Sequence, residues 1–410
     1  MGTVVKADVD KVHTIMQIAE NFSHPLELVR EALSNSKDWY AENVWLRVYY
    51  QPPTGSDKKL IVELKDDGIG ISKDGFERFA TLGSRLEDRR LRIGTKGFGT
   101  KIFFKSDRID VDTIRKGAGN LLERQTAYCA EPWAKLKAGG LPEFILSDPK
   151  PVKRGKTGTA IKITGLKIDP EQIQNFRLAS LKDYIRWKTV GGSFEHYFMP
   201  QHKRLTVNLE IKGIEPGTKR AKIAGFELPP ECLTPKPKPR DKFPLTTNYC
   251  RHFQHQINAG QAGLVDVVGA VFGDNARQPL KEKGVRIRAA ERFGVYCARD
   301  YIMIEKIDNV LPSSEAVIPN CFLFVANCAE LELTTNRNEI QGKNSAKYND
   351  FIKSMKDYMR DIVETCRKPF FNIRVPEKRL ATSNVIRKAI EKYRDRKPLP
   401  CPKGTILLPK

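Results

Sequence analysis

No run in this chain reaches the ~18 to 20 apolar residues that a membrane helix needs, so no membrane partner is expected. The eight cysteines, at 129, 232, 250, 297, 321, 328, 366 and 401, include no CxxC pair. Their scatter argues against a structural zinc site and against a disulfide framework. No basic stretch followed by an apolar core opens the sequence MGTVVKADVDKVHTIM, and Lys6 stands where the myristoylation pattern after Gly2 needs Ser or Thr. A reduced, cytoplasmic location is the expectation. No internal repeat is present, and the final PLPCPKGTILLPK carries no sign of a nuclease or protease.

What the chain has in excess is positive charge. Its 410 residues carry a formal net charge of +22. Such a balance points to a polyanionic partner, nucleic acid first, although it also serves solubility alone. Residues 345–410 hold 17 Lys and Arg against 7 Asp and Glu, so the surplus is strongest there.

The length suits two or three domains. Helical patterning over 8–43 gives way to VWLRVYY (44–50) and LIVELK (60–65), two strands joined by a Pro/Gly/Ser/Asp loop in the manner of a hairpin. A short helix is expected near 74–82, and strands at 108–114, 123–128 and 158–165. This mix of helices with mostly antiparallel strands is α+β, not a repeating βαβ wind. After a helix near 169–190, strands are expected at 205–213, 263–273, 294–305 and 321–328, and TPKPKPRDK (234–242) reads as a surface loop. From about 345 an amphipathic helix sets Phe351, Met355, Tyr358, Met359 and Ile362 on one stripe. The expected division is 1–170, 171–344 and a basic helical segment, 345–410.

Four short patterns carry chemistry. ELVREALSNSKDW (27–39) places Glu31 and Asn35 one turn apart on one helix face, with Asp38 beyond. KDDGIGIS (65–72) follows a strand with Asp66, Gly68 and Gly70, and missing side chains let backbone turn tightly beside a planar ligand. RIGTKGFGTKIFF (92–104) sets Gly94, Gly97 and Gly99 ahead of an apolar helix, where backbone amides can face an anion. GTAIKITG (158–165) opens a later strand with Thr159. Each is weak alone: the helical acid could be solvated, and the DxGxG could be a strand-end turn.

In this order and spacing the four resemble the boxes of the GHKL ATPase superfamily, which includes gyrase, the ninety-kilodalton heat-shock chaperone, the histidine kinases and MutL. The chaperone's first box is close to RELISNSSDA, and this chain reads REALSNSKDW (30–39). The resemblance spans roughly residues 10–170 and implies the Bergerat fold, an α/β sandwich on a mostly antiparallel sheet, with ATP and Mg2+ as ligands. It implies that Glu31 acts as general base, that Asn35 offers its oxygen to magnesium, and that Asp66, supported by Thr159, accepts the adenine amino group. Gly68 and Gly70 would shape that pocket, while Gly94, Gly97 and Gly99 would face the triphosphate with Thr100 and Lys101 nearby. Asp38 would be an anchor behind the site or a solvated acid; Lys101 would bind phosphate or lie on the outer face of its helix. Trp39 and Lys96 depart from the family pattern and leave the subfamily open.

The segment 79–92 corresponds to the family's ATP lid, with Arg85, Arg89, Arg90 and Arg92. His24 lies in a context reminiscent of the phospho-accepting histidine of sensor kinases, but only seven residues separate it from Glu31, so that role is set aside. Residues 294–341 resemble the transducer domain that follows the ATPase module in the chaperone and in MORC ATPases. There LELTTNRNEIQ (331–341) offers Arg337 for the γ-phosphate; a surface arginine after an edge strand is the alternative. The resemblance thus implies ATP hydrolysis gating a homodimeric clamp, with DNA as the partner that the charge favours. An ATP-dependent chaperone acting on protein clients and a regulatory subunit serving a separate protein effector are the alternatives.

Overall fold

The structure is a computed structural model that describes residues 10–22, 24–52, 57–80, 99–117, 119, 121–236, 238, 240, 245–312, 319–334 and 337–366. The segments 81–98 and 367–410, which hold most of the expected lid and the basic tail, lie outside it, as do Gly94 and Gly97.

Two mostly antiparallel mixed sheets organise the α+β chain. The first contains β1 (Asn43–Gln51), β2 (Lys59–Asp66), β3 (Arg108–Lys116), β4 (Leu122–Ala130), β5 (Ile145–Leu146), β6 (Lys150–Pro151), β7 (Gly158–Thr164), β8 (Thr206–Lys212) and β9 (Thr218–Ala224). Its order is β5-β4-β3-β7-β2-β1-β8-β9, with β6 also on β4. Only the β1–β8 pair is parallel. Alternation decides its inner face: Val44, Leu46 and Val48 are fully buried, while Trp45 and Arg47 between them point to solvent. On that inner face pack α1 (Lys11–Asn21) and α2 (Glu27–Asp38), through Ile15, Ala19, Leu28, Val29, Ala32 and Leu33. The short α3 (Lys73–Ala80) and a 3-10 turn, Gly99–Phe104, flank the segment 81–98, and α4 (Pro132–Lys137) follows β4.

The second sheet runs β10-β11-β14-β12-β13, from β10 (Cys250–Asn258), β11 (Leu264–Phe272), β12 (Gly294–Arg299), β13 (Ile302–Lys306) and β14 (Phe322–Cys328). The expected strand at 294–305 is a hairpin, because Asp300 and Tyr301 turn the chain at φ 54° and 57°. Every residue of β14 is buried, since both faces of this sheet are covered. One face carries α7 (Ala346–Thr365), which inserts Phe351, Met355, Met359 and Ile362, with Tyr358 partly buried beside them. The other carries Trp187, Phe194 and Phe226. Trp187 lies near the end of α5 (Leu178–Lys188), whose Leu181 and Ile185 belong instead to the core of the first sheet. A one-turn helix, α6 (Ala289–Arg292), precedes β12.

Packing runs across residues 170 and 345: β8 and β9 extend the first sheet, and α7 closes the second. Among the described residues no helix is long and apolar enough to cross a membrane, and the seven cysteines there are free thiols.

Candidate functional site

The site is built along α2. Its first turn carries Glu27, an acid that suits the positive end of the helix, and the Leu26 N–H donates to His24 Nδ1 at 3.2 Å. His24 also stacks on Tyr184 of α5, ring centroids 5.0 Å apart, and burial with the nearby Arg30 pushes its imidazole below the ordinary value. Packing and helix entry therefore account for His24.

Asp66, the last residue of β2, meets the C-terminal half of α2. Its Oδ1 accepts from the backbone N–H of Gly68 (2.9 Å) and of Thr159 (3.1 Å), and its Oδ2 from Ser36 Oγ (3.3 Å). Burial pushes its carboxyl up to about 6, although those three donors act in the opposite direction. The neighbouring Asp67 plays a different part. It accepts from Glu42 N and Asn43 N at 2.8 Å and from Asn43 Nδ2 at 2.7 Å, which ties the turn to the start of β1. Those bonds outweigh burial and hold Asp67 below the usual carboxylate value.

The glycines fit because side chains would collide. A β-carbon on Gly158, which has φ 149°, would stand 2.1 Å from the Asp66 carbonyl oxygen. One on Gly70, φ 82°, would stand 2.4 Å from the Ile114 carbonyl oxygen, and one on Gly68 2.5 Å from that of Trp39. Thr113 of β3 locks this turn, accepting from Ile71 N at 2.8 Å and lying 3.3 Å from Thr159 Oγ1.

At the other end of the site Glu31 faces Gly99. Its Oε2 lies where a β-carbon of Gly99 would come within 1.8 Å. Asn35, half-buried, sits one turn further along α2, between the Glu31–Gly99 contact and the Ser36–Asp66 contact. The structure thus sets Gly99 against Glu31 and sets Asp66, with the Gly68 and Thr159 amides on its carboxylate, against Ser36 of the same helix. Asp38, at the end of the helix, is half-buried.

Lys101 does not lie on an outer, solvent-facing surface. Its side chain is fully buried, and Nζ donates to the Phe79 carbonyl (2.9 Å) and to Thr100 Oγ1 (3.1 Å). Thr100 donates to the same carbonyl at 3.0 Å. Burial brings the Lys101 amine down to about 8. Both side chains thereby join the end of α3 to the Gly99 turn.

Arg337 adopts φ 56° and places Nη2 3.1 Å from Asp300 Oδ2. Beside it, Asn338 crosses to α2, accepting from Arg30 Nη1 at 2.6 Å and donating to Glu27 Oε1 at 3.0 Å. Arg30, Ser34, Lys188, Arg337 and Asn338 line one small cavity between the two sheets' cores. Lys188 keeps contact with solvent there, yet burial of its amine, followed by Arg292 and Arg30, pushes it below the ordinary lysine value. Sequence reasoning missed Ser36, Thr113, Arg30 and Asn338, whose partners are distant in the chain.

Among the described residues no three His, Cys, Asp or Glu side chains converge as a metal-binding group. In comparisons with known proteins, the chain matches no family model and no curated protein.

Proposed function

We propose that this chain is a magnesium-dependent GHKL-type ATPase that converts ATP to ADP and phosphate. The observation that carries the reading is the arrangement along α2: Glu31 against Gly99 at one end, Ser36 against Asp66 at the other, and Asn35 between them. The close packing at Gly68, Gly158 and Gly99 supports it, since it sets the Asp66 turn and the Glu31 carboxylate in place.

In this reading Asp66 receives the adenine amino group on the lone pairs that Gly68, Thr159 and Ser36 leave open. Thr159 supports the contact through Thr113. Glu31 takes the proton of the attacking water. One amide oxygen at Asn35 suits magnesium, which favours hard oxygen ligands and keeps several waters; bound there with the phosphates, it would neutralise charge that develops in transfer. Arg337, delivered from the second sheet's domain, is the candidate for sensing the γ-phosphate, and to do so it must exchange Asp300 for the nucleotide.

Hydrolysis would time a clamp-like homodimer, which ATP can close only by binding the closed state better. The +22 charge makes DNA the proposed clamped partner. The test is ATP turnover by the wild type and Glu31→Ala, each with and without double-stranded DNA at low salt. Turnover that is lost in Glu31→Ala and stimulated by DNA is expected. Turnover indifferent to DNA would move the reading to a protein client, and an inactive wild type would overturn hydrolysis.

A further inference from the structure

We infer that Asn338 is a positioning residue for Glu31, through which the second sheet's domain sets the readiness of the site on α2. The inference rests on the proposed hydrolysis.

The Asn338 amide is shared between two side chains of α2. Its oxygen must face Arg30, which only donates, and its NH2 must face Glu27, a carboxylate; the 2.6 and 3.0 Å contacts have that sense. Arg30 has a second hand. Its Nη2 lies 3.5 Å from Glu31 Oε1 and 4.0 Å from Glu27 Oε1. Glu31 therefore has Arg30 at Oε1, and its Oε2 is packed against Gly99. Glu27, Arg30 and Glu31 are all buried.

Removing the amide would leave the Arg30 guanidinium to turn onto the two acids. A tighter ion pair favours the charged carboxylate and makes it a poorer acceptor for the proton of water. Glu27 would lose its donor as well, and its other oxygen, Oε2, is already buried with no hydrogen-bond partner among the described residues. Asn338 itself is held by its own domain. Arg337 beside it is tied to Asp300 at the β12–β13 turn, and Ile340 N donates to Glu305 Oε2 of β13 at 3.1 Å. A shift of that hairpin would therefore move the amide, and with it Arg30 and Glu31. The Asp66 end of the site has no part in this chain of contacts.

The experiment uses the full chain and measures kcat and KM for ATP, nucleotide affinity and thermal melting. Asn338→Ala is expected to lower kcat roughly 2- to 30-fold with KM and nucleotide affinity unchanged. Asn338→Asp keeps the acceptor for Arg30 but sets a second acid on Glu27, and its kcat should also fall. Adding Glu27→Gln supplies a donor to the new carboxylate and should restore kcat towards wild type. Wild-type kcat in Asn338→Ala, or no recovery in Asn338→Asp with Glu27→Gln when both melt like the wild type, would overturn the positioning role while leaving hydrolysis standing. An inactive wild type would remove the proposed hydrolysis, and this inference with it.

Discussion

Glu31 and Gly99 touch so closely that a single added carbon at position 99 would overlap the carboxylate, 1.8 Å from Oε2 and 2.4 Å from Cδ. Since the atoms in the way are the far end of a flexible side chain, Glu31 can yield without disturbing the backbone.

Gly99→Ala should accordingly fold, with a stability loss within about 1 kcal/mol, and displace the carboxylate. ATP turnover should fall towards that of Glu31→Ala while Asp66-dependent nucleotide binding persists. Steady-state kinetics beside equilibrium binding of a fluorescent nucleotide checks this. Undiminished turnover would separate Glu31 from the chemistry.

Asp66→Asn should trade binding for stability. The Asn oxygen can accept from Gly68 N and Thr159 N as Oδ1 does now, and its NH2 can donate to Ser36. Under the proposed function, losing the acceptor for adenine should abolish nucleotide binding. Asp66 titrates near 6 in the fold against an ordinary 3.8, so its stabilising contribution is complete below about pH 3.8 and is lost as pH rises through 6. The variant removes a buried charge that costs up to about 3 kcal/mol at neutral pH. It should melt higher than wild type at pH 8 and lose that advantage at pH 4; equal melting at both would show that Asp66 is not destabilised by burial.

Nucleotide affinity should depend on pH through the same group. Protonation blocks the acceptor, so affinity should weaken roughly tenfold per unit below pH 6 and level off above it. Calorimetric titration between pH 5 and 8 reads the effect, and a flat profile would move the adenine contact elsewhere.

Arg337→Ala should keep nucleotide affinity and slow turnover, because its pairing with Asp300 lies outside the Asp66 pocket. Asp300→Asn removes that ion pair and should not slow turnover. If Arg337→Ala hydrolyses at the wild-type rate, the arginine is only a fastener of the β12–β13 turn.

Much of this architecture is legible in the chain. Alternation at Val44, Leu46 and Val48, or the continuous apolar run of β14, marks strands because each faces a core. β9 (TKRAKIA) and β10 (CRHFQHQIN) are not legible for the opposite reason: both are edge strands, and β9 buries only Ile223. In the site, Glu31, Asn35 and Asp66 announce themselves by spacing. Asn338 does not, since its meeting with Arg30 spans 308 positions and no local pattern encodes it. The contact of the Lys101 amine with the Phe79 carbonyl is equally hidden, since it spans 22 positions.

The helix α5 lends Leu181 and Ile185 to one core and Trp187 to the other. A rod cemented at both ends into different walls leaves no slack between them. Neither wall can melt, tilt or be excised without exposing the other's mortar. A fragment ending at residue 170 would thus lack both this rod and the β8 strand that flanks β1, and heat should dismantle the two sheets in one concerted transition.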